Sequence, residues 1–276
     1  MTEPCVDLHI HTTCSDGVTT PEEIVRSAIG RGLSAVAITD HDAVDGIERA
    51  IRASEQAGGS LEVIPGIELS ASAGNDDVHI LGYYIDQDDE TLLGRLRTFR
   101  EARYRRAQRM VAELNALGLD LKFDTVLGIA GDAALGRPHV AEALLREELV
   151  YSYDEAFASY IGYGRRAYVP KYRISPQEAI NLIVLGGGIP VLAHPGTLGR
   201  DELIPAMIKA GLQGIEAIHP VHTVNLVRHY RRLAQKHGIV YTGGSDYHGE
   251  GRGHQALAEP CVPASVLEGL RDLVVG

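Results

Sequence analysis

Short apolar runs in this chain end, one after another, in histidines and carboxylates. Val6-Asp7-Leu8 leads to His9 and His11, Ala35-Val36-Ala37-Ile38 to Asp40 and His41, and Val63-Ile64-Pro65-Gly66-Ile67 to Glu68. Downstream, Val78 precedes His79, Pro190-Val191-Leu192-Ala193 precedes His194, and Ile215 precedes Glu216. Ile239-Val240-Tyr241 then runs through two glycines to Asp246 and His248. Runs of this length read as buried strands. Polar groups so placed converge if the strands are parallel and finish on one face of a barrel or sheet, where such folds build their active sites. The pattern predicts an α/β fold carrying a polynuclear metal centre.

The segments between the runs read as helices. Pro21 follows Thr19 and Thr20 at a helix start, Glu22, Glu23, Ile24, Val25, Ala28 and Ile29 continue amphipathically, and Gly32 supplies a stop. Ile47 to Ala57 repeats the pattern, ends in Gly58-Gly59, and hands over to a strand from Leu61 to Ile67. This is βαβ organisation with a mostly parallel sheet. Residues 91–173 differ. There the strand signal disappears, a first helix mixes Leu92, Leu96, Phe99, Met110 and Leu114 with seven arginines from Arg95 to Arg109, Gly118 stops it, and a second begins near Pro138. Of these arginines most read as a solvated face, with Arg103 or Arg106 as candidates to turn inward. From Ser175-Pro176 the alternation resumes, with strands expected from Ile189, at Gly214 to Ile218 and from Ile239. The organisation predicted is a barrel domain of residues 1–90 and 174–276, with 91–173 as a helical insertion that caps it.

Composition sets the boundaries. No apolar stretch approaches the roughly 20 residues of a membrane span, and Met1-Thr2-Glu3-Pro4 has no basic, apolar secretion signal. Three cysteines, Cys5, Cys14 and Cys261, make no even, closely spaced framework, which argues against a disulfide scaffold and for a reducing compartment. A cytoplasmic protein is expected. Cys14 reads as a packing residue, since a thiolate would be the odd member among imidazoles and carboxylates. The net charge of −11 argues against long duplex nucleic acid as a partner, although three divalent ions would offset six of those charges at the site itself.

His9 and His11, two apart on an extended segment, point to the same side. Joined to Ser15-Asp16-Gly17, Thr39-Asp40-His41-Asp42, Ala193-His194-Pro195 and Gly244-Ser245-Asp246-Tyr247-His248-Gly249, this segment resembles the polymerase and histidinol phosphatase (PHP) family of metal-dependent phosphoesterases. Arg137-Pro138-His139 and Tyr168-Val169-Pro170-Lys171 are similar to its stand-alone bacterial branch, which acts on small nucleotides and RNA ends. The resemblance implies a distorted (β/α)7 barrel with a helical insertion and three divalent ions, most commonly manganese, with iron or zinc as alternatives. It implies that His9, His11, Glu68 and Asp246 hold the first ion, Glu68, His79 and His194 the second, and Asp16, His41 and His248 the third. Asp40 is expected to orient a neighbouring imidazole.

A hydroxide shared by ions about 3.5–4 Å apart is the expected nucleophile, with Asp246 taking the proton. Arg137 at a helix start is the expected phosphate contact, followed by His139 and Lys171; for Lys171 an ordinary surface cation stands as the equal alternative. His222 either protonates the leaving oxygen or binds phosphate, or it simply lines the cleft, which is the reading preferred for His219. The expected activity is hydrolysis of a small nucleotide, such as the 3′-phosphate of a nucleoside 3′,5′-bisphosphate. Alternatives are 5′-3′ trimming of short RNA, cyclic-nucleotide hydrolysis, histidinol-phosphate hydrolysis, and a metal-binding structural module without activity.

Overall fold

The computed structural model describes residues 3–250 and 256–275. It contains two compact units, Met1–Gly94 with Arg173–Gly276, and Arg95–Tyr172. In the first unit the strands are β1 (Cys5–Ile10), β2 (Ala35–Ile38), β3 (Glu62–Ala73), β4 (Asp76–Tyr83), β5 (Ile189–Leu192), β6 (Gly214–Ile218), β7 (Val240–Gly243) and β8 (Val262–Pro263). They lie in the order β7-β6-β5-β4-β3-β2-β1-β8. Beyond β7 the chain returns to β1: Ile10 bridges Tyr247 in the parallel sense, and the His11 N–H donates to the Tyr247 carbonyl at 2.9 Å. The result is a nearly closed barrel.

Strands covered on both faces need continuous apolar runs. β2, β5 and β6 are buried at every residue, and so is β1 from Val6 onward. Leu8, Ala37, Ile64, Leu81, Tyr83 and Val191 belong to one buried core. Helix α1 (Pro21–Gly30) begins where the sequence predicts: the Thr20 side chain accepts from the Glu23 N–H, Glu23 reaches back to the Thr20 N–H, and Pro21 occupies the first turn. Its Ile24, Val25 and Ala28 are buried beneath exposed glutamates. Helix α2 (Ile47–Gln56) buries Ile47, Ala50 and Ser54.

The sheet is mostly parallel as expected, with an exception at β4, which runs antiparallel to both β3 and β5. Only Gly74-Asn75 separates β3 from β4, with Gly74 at φ +65, and so short a link has no room for the crossover that parallel pairing requires. His79 pairs with Ser70 in this hairpin. A strand running the opposite way delivers its ligand from its first half, so His79 still arrives at the end of the barrel where Glu68 stands.

The cysteine reading is also corrected. Cys5 and Cys261 form a disulfide with a Cα–Cα distance of 5.4 Å, while Cys14 remains a buried thiol. The two are separated by 256 positions in sequence, which hid the pairing; they meet because β8 pairs antiparallel with β1, placing Cys5 opposite Pro263.

In the second unit, α3 (Glu90–Ala116) contributes its residues from Arg95 onward, followed by α4 (Phe123–Ala130) and α5 (Arg137–Arg146). Sequence reading misses α4, because its eight residues, with Asp124 and Thr125 the polar ones, are too few to show a helical period. Met110, Leu114, Leu121, Val126, Val140 and Leu144 form this unit's core. Arg106 does turn inward, its Nε–H donating to the Val169 carbonyl at 2.8 Å, and Arg103 donates to the Leu135 carbonyl at 3.2 Å. Among the described residues no helix is long and apolar enough to cross a membrane.

A peptide map made without reductant is expected to recover Cys5 joined to Cys261 and to leave one thiol, Cys14, titratable after denaturation. Three titratable thiols would contradict the pairing.

Candidate metal centre

Glu68 is the middle of the site. It lies on β3, where the strand bridges His41, and is 1% exposed. Five imidazoles approach its carboxylate: His79 at 2.8 Å, His41 at 3.0 Å, His194 at 3.1 Å, His11 at 3.2 Å and His9 at 3.4 Å. Asp246 lies 3.1 Å from His11 and 3.4 Å from His9, and Asp16 is 3.5 Å from His248. All nine residues expected as ligands belong to interlocking groups whose nitrogen and oxygen atoms lie within 4.8 Å of one another.

These atoms converge without pairing properly. His9 Nε2, both nitrogens of His11, His41 Nδ1, Asp16 Oδ1 and Glu68 Oε2 are buried and have no hydrogen-bond partner among the described residues. Their neighbours are close but misaligned, as happens when lone pairs aim at shared points instead of at each other. Leaving so many buried polar atoms unsatisfied would be costly unless something fills those points. Imidazoles mixed with carboxylates suit a divalent transition-metal ion, so the residues fit the metal that the resemblance implies.

Other groups hold the array in shape. Glu216, fully buried on β6, accepts from His9 Nδ1 at 3.0 Å and from the His194 backbone N–H at 2.7 Å. A carboxylate only accepts, so His9 carries its proton on Nδ1 and turns Nε2 to the site. His248 is set likewise, Nδ1 donating to the Asp246 carbonyl at 2.8 Å. His194 and Asp246 adopt φ of +26 and +52, and Asp42 beside His41 adopts +51, conformations that non-glycine residues rarely take.

Three positions depart from sequence reading. Glu216 follows the strand-end pattern yet lies outside the expected ligand set, and it proves to be the partner that orients His9. Asp40 hydrogen-bonds no imidazole among the described residues: it accepts from the Thr12 N–H and hydroxyl, both at 2.7 Å, and from the Ser15 hydroxyl at 2.6 Å. His222 has both ring nitrogens engaged with backbone, Nδ1 donating to the Ala217 carbonyl at 2.9 Å and Nε2 accepting from the Gly196 N–H at 3.0 Å. Burial further depresses its pKa, so this neutral ring has no free nitrogen for a proton or a phosphate. His219, by contrast, is 3% exposed and turns an unpartnered Nε2 toward Asp246 at 3.5 Å.

The remaining expected contacts lie in the second unit. Arg137 opens α5, its guanidinium 5.6 Å from the Phe157 ring centre and 5.9 Å from that of Tyr168. His139 accepts from the Gly136 N–H through Nδ1 at 3.0 Å, fixing the start of that helix. Lys171 is partly buried.

A family model for the PHP domain matches residues 7–170. The chain belongs to the PHP domain family. A 3′,5′-nucleoside bisphosphate phosphatase from Chromobacterium violaceum is 34% identical, with 90% of this chain and 88% of that one aligned. A phosphoribosyl 1,2-cyclic phosphate 1,2-diphosphodiesterase from Eggerthella lenta is 32% identical over 88% of this chain and 94% of its own. A Bifidobacterium adolescentis crystal structure described as a metal-dependent phosphoesterase superposes with a TM-score of 0.89 at 32% identity, covering 98% and 96% of the two chains.

Without metal the site is an array of ion pairs. Burial raises the carboxyl of Glu68, but the imidazoles of His41, His79 and His9 hold it well below its ordinary value, and Asp16 and Asp246 are lowered by their own histidines in the same way. Burial pulls His11 down, yet Asp246 and Glu68 outweigh it and carry the imidazole up to about 10, with His9 and His194 also raised.

Raised histidines stabilise the metal-free fold fully below the unfolded value of 6.5, and that contribution is lost as pH climbs through about 10. The lowered carboxylates contribute above their unfolded values of 3.8 to 4.5 and lose it only in stronger acid. Coordination requires neutral imidazoles. Loading with a divalent ion at pH 7.5 is therefore expected to release protons and to tighten as pH rises. Titration calorimetry in buffers of different ionisation enthalpy measures both, and loading without proton release would contradict this site.

Proposed function

We propose that this protein is a metal-dependent phosphoesterase that removes the 3′-phosphate of a small nucleotide such as a nucleoside 3′,5′-bisphosphate. The observation carrying this reading is the buried imidazole and carboxylate array around Glu68, with its unpaired atoms aimed at common points. The nucleotide substrate is supported by the Chromobacterium relative, which bears that activity in its name at 34% identity. No similarity of fold alone would carry a substrate.

In this assignment His9, His11, Glu68 and Asp246 would hold one divalent ion, Glu68, His79 and His194 a second, and Asp16, His41 and His248 a third, with manganese the first choice and iron or zinc next. Bound there, such ions supply Lewis acidity and positive charge against phosphoryl oxygens. The protein's own groups do the rest. Glu216 keeps His9 in the tautomer that faces the site. Asp246 is the most open of the three site carboxylates, 22% exposed against 12% for Asp16 and 1% for Glu68, and it takes the proton of the attacking water.

Arg137 binds a substrate phosphate. It stands at the start of α5, where free N–H groups and the helix dipole favour an anion and a guanidinium can bind two oxygens. His139 keeps that helix start in place, and Lys171 adds positive charge to the same unit. The cytoplasmic setting rests on the nucleotide substrate alone, because the Cys5–Cys261 bond removes the cysteine argument for a reducing compartment.

The cyclic-ester reading has its own support in the Eggerthella relative, so the decisive test is a panel. Manganese-loaded protein is offered nucleoside 3′,5′-bisphosphates, cyclic phosphodiesters, histidinol phosphate and short 5′-phosphorylated RNA. Release of inorganic phosphate and a nucleoside 5′-monophosphate at the highest kcat/KM is expected, and preference for any other member displaces the assignment. Arg137→Ala is expected to lower kcat/KM for the preferred substrate roughly 10- to 100-fold, the size of a lost charged hydrogen bond, mainly through KM. An unchanged KM would remove Arg137 from substrate binding.

A further inference from the structure

Two site carboxylates share an arrangement that no ligand requirement explains. Each follows a serine, Ser15 before Asp16 and Ser245 before Asp246, and each serine is tied to a second, fully buried aspartate that hydrogen-bonds no imidazole ring among the described residues. The Ser15 hydroxyl donates to Asp40 Oδ1 at 2.6 Å, and the same acid accepts from the Thr12 N–H and hydroxyl at 2.7 Å. The Ser245 hydroxyl donates to Asp7 Oδ2 at 2.6 Å, and Asp7 also accepts from the backbone N–H groups of Ser245 at 2.9 Å, Ala258 at 2.7 Å and His9 at 3.4 Å. Asp7, Asp40, Ser15 and Ser245 are at most 1% exposed.

The two anchors differ in origin but not in what they do. Asp7 reaches from β1 to the segment after β7, and Asp40 from the end of β2 to the loop after β1, so each fixes a loop to a strand of the barrel wall. Asp246 needs such fixing, since its φ of +52 is a conformation that an L-residue holds only when its surroundings impose it. The Asp16 loop is crowded in its own way: a Cβ on Gly17 would stand 2.5 Å from the His11 carbonyl oxygen. A carboxylate on an exposed loop would sample several positions, and a metal ligand displaced by an ångström ligates poorly.

We propose that Asp7 and Asp40 are positioning residues: through Ser245 and Ser15 they set Asp246 and Asp16 in place before any ion arrives. The proposal rests on the metal-site reading above. It assigns to the Ser-Asp pairs a shared role, the serine anchoring and the aspartate ligating. Its consequence is that either serine hydroxyl controls metal affinity although neither touches the metal.

The test compares Ser15→Ala and Ser245→Ala with Ser54→Ala, a control that removes another buried serine hydroxyl, the one donating to the Leu61 carbonyl at 2.5 Å. Both site variants leave the buried aspartates their backbone donors, so folding is checked by circular dichroism and not assumed. Manganese binding is followed by the spin resonance of the free ion. S15A and S245A are each expected to weaken binding by about 10- to 100-fold, as loss of a ligand's supporting partner typically does. With excess manganese kcat should recover and KM for substrate stay put, while S54A lowers the unfolding midpoint and leaves manganese binding unchanged. Wild-type affinity in both site variants, or equal weakening in S54A, overturns the proposal while the metal site stands. A wild-type protein that takes up no manganese overturns both.

Discussion

The structure depends on one buried carboxylate. Glu68 lies at 1% exposure among five imidazoles contributed by β1, the chain after β2, β4 and the chain after β5. A lone carboxylate in that position would be expelled or protonated, because burying an unpaired charge costs several kcal/mol even after relaxation, on the order of a whole domain's net stability. Its partners must therefore come to it. Apolar strands that are buried on both faces provide the wall, and their polar ends have nowhere to go except the common mouth.

The strain around that mouth follows from the same demand. His194, Asp246 and Asp42 hold positive φ angles just where strand gives way to loop. In each case the backbone turns sharply so that a side chain or a neighbouring histidine points inward, and backbone N–H groups donating to Glu216, Asp7 and Asp42 hold the turn. The site is thus built from two kinds of acid. Asp16, Glu68 and Asp246 face the open points between imidazoles, whereas Asp7, Asp40 and Glu216 face backbone, hydroxyl or a ring N–H and fix geometry.

That division marks the limit of what the sequence makes legible. Residue type and strand-end position identify His9, His11, His41, His79, His194 and the acids near them, because burying so many polar groups at the ends of apolar strands is too costly to persist unless they bind something in common. The same signal is silent on which acid ligates and which supports. Asp40, Glu216 and Glu68 each follow an apolar run in the sequence, and only the partner across space separates them. The direction of β4 is hidden for a related reason: alternation reports that a strand exists, and the two-residue link Gly74-Asn75 decides its sense. The Cys5–Cys261 contact depends on β8, whose two residues give no periodic signal at all.

The electrostatics also explain how a chain with a net charge of −11 keeps so acidic a site folded. In the metal-free protein the neighbouring carboxylates raise the imidazoles of His9, His11 and His194 toward the charged form, which offsets the carboxylates' own charge. Divalent ions held by these residues would take over the same neutralising role, since coordination requires neutral imidazoles.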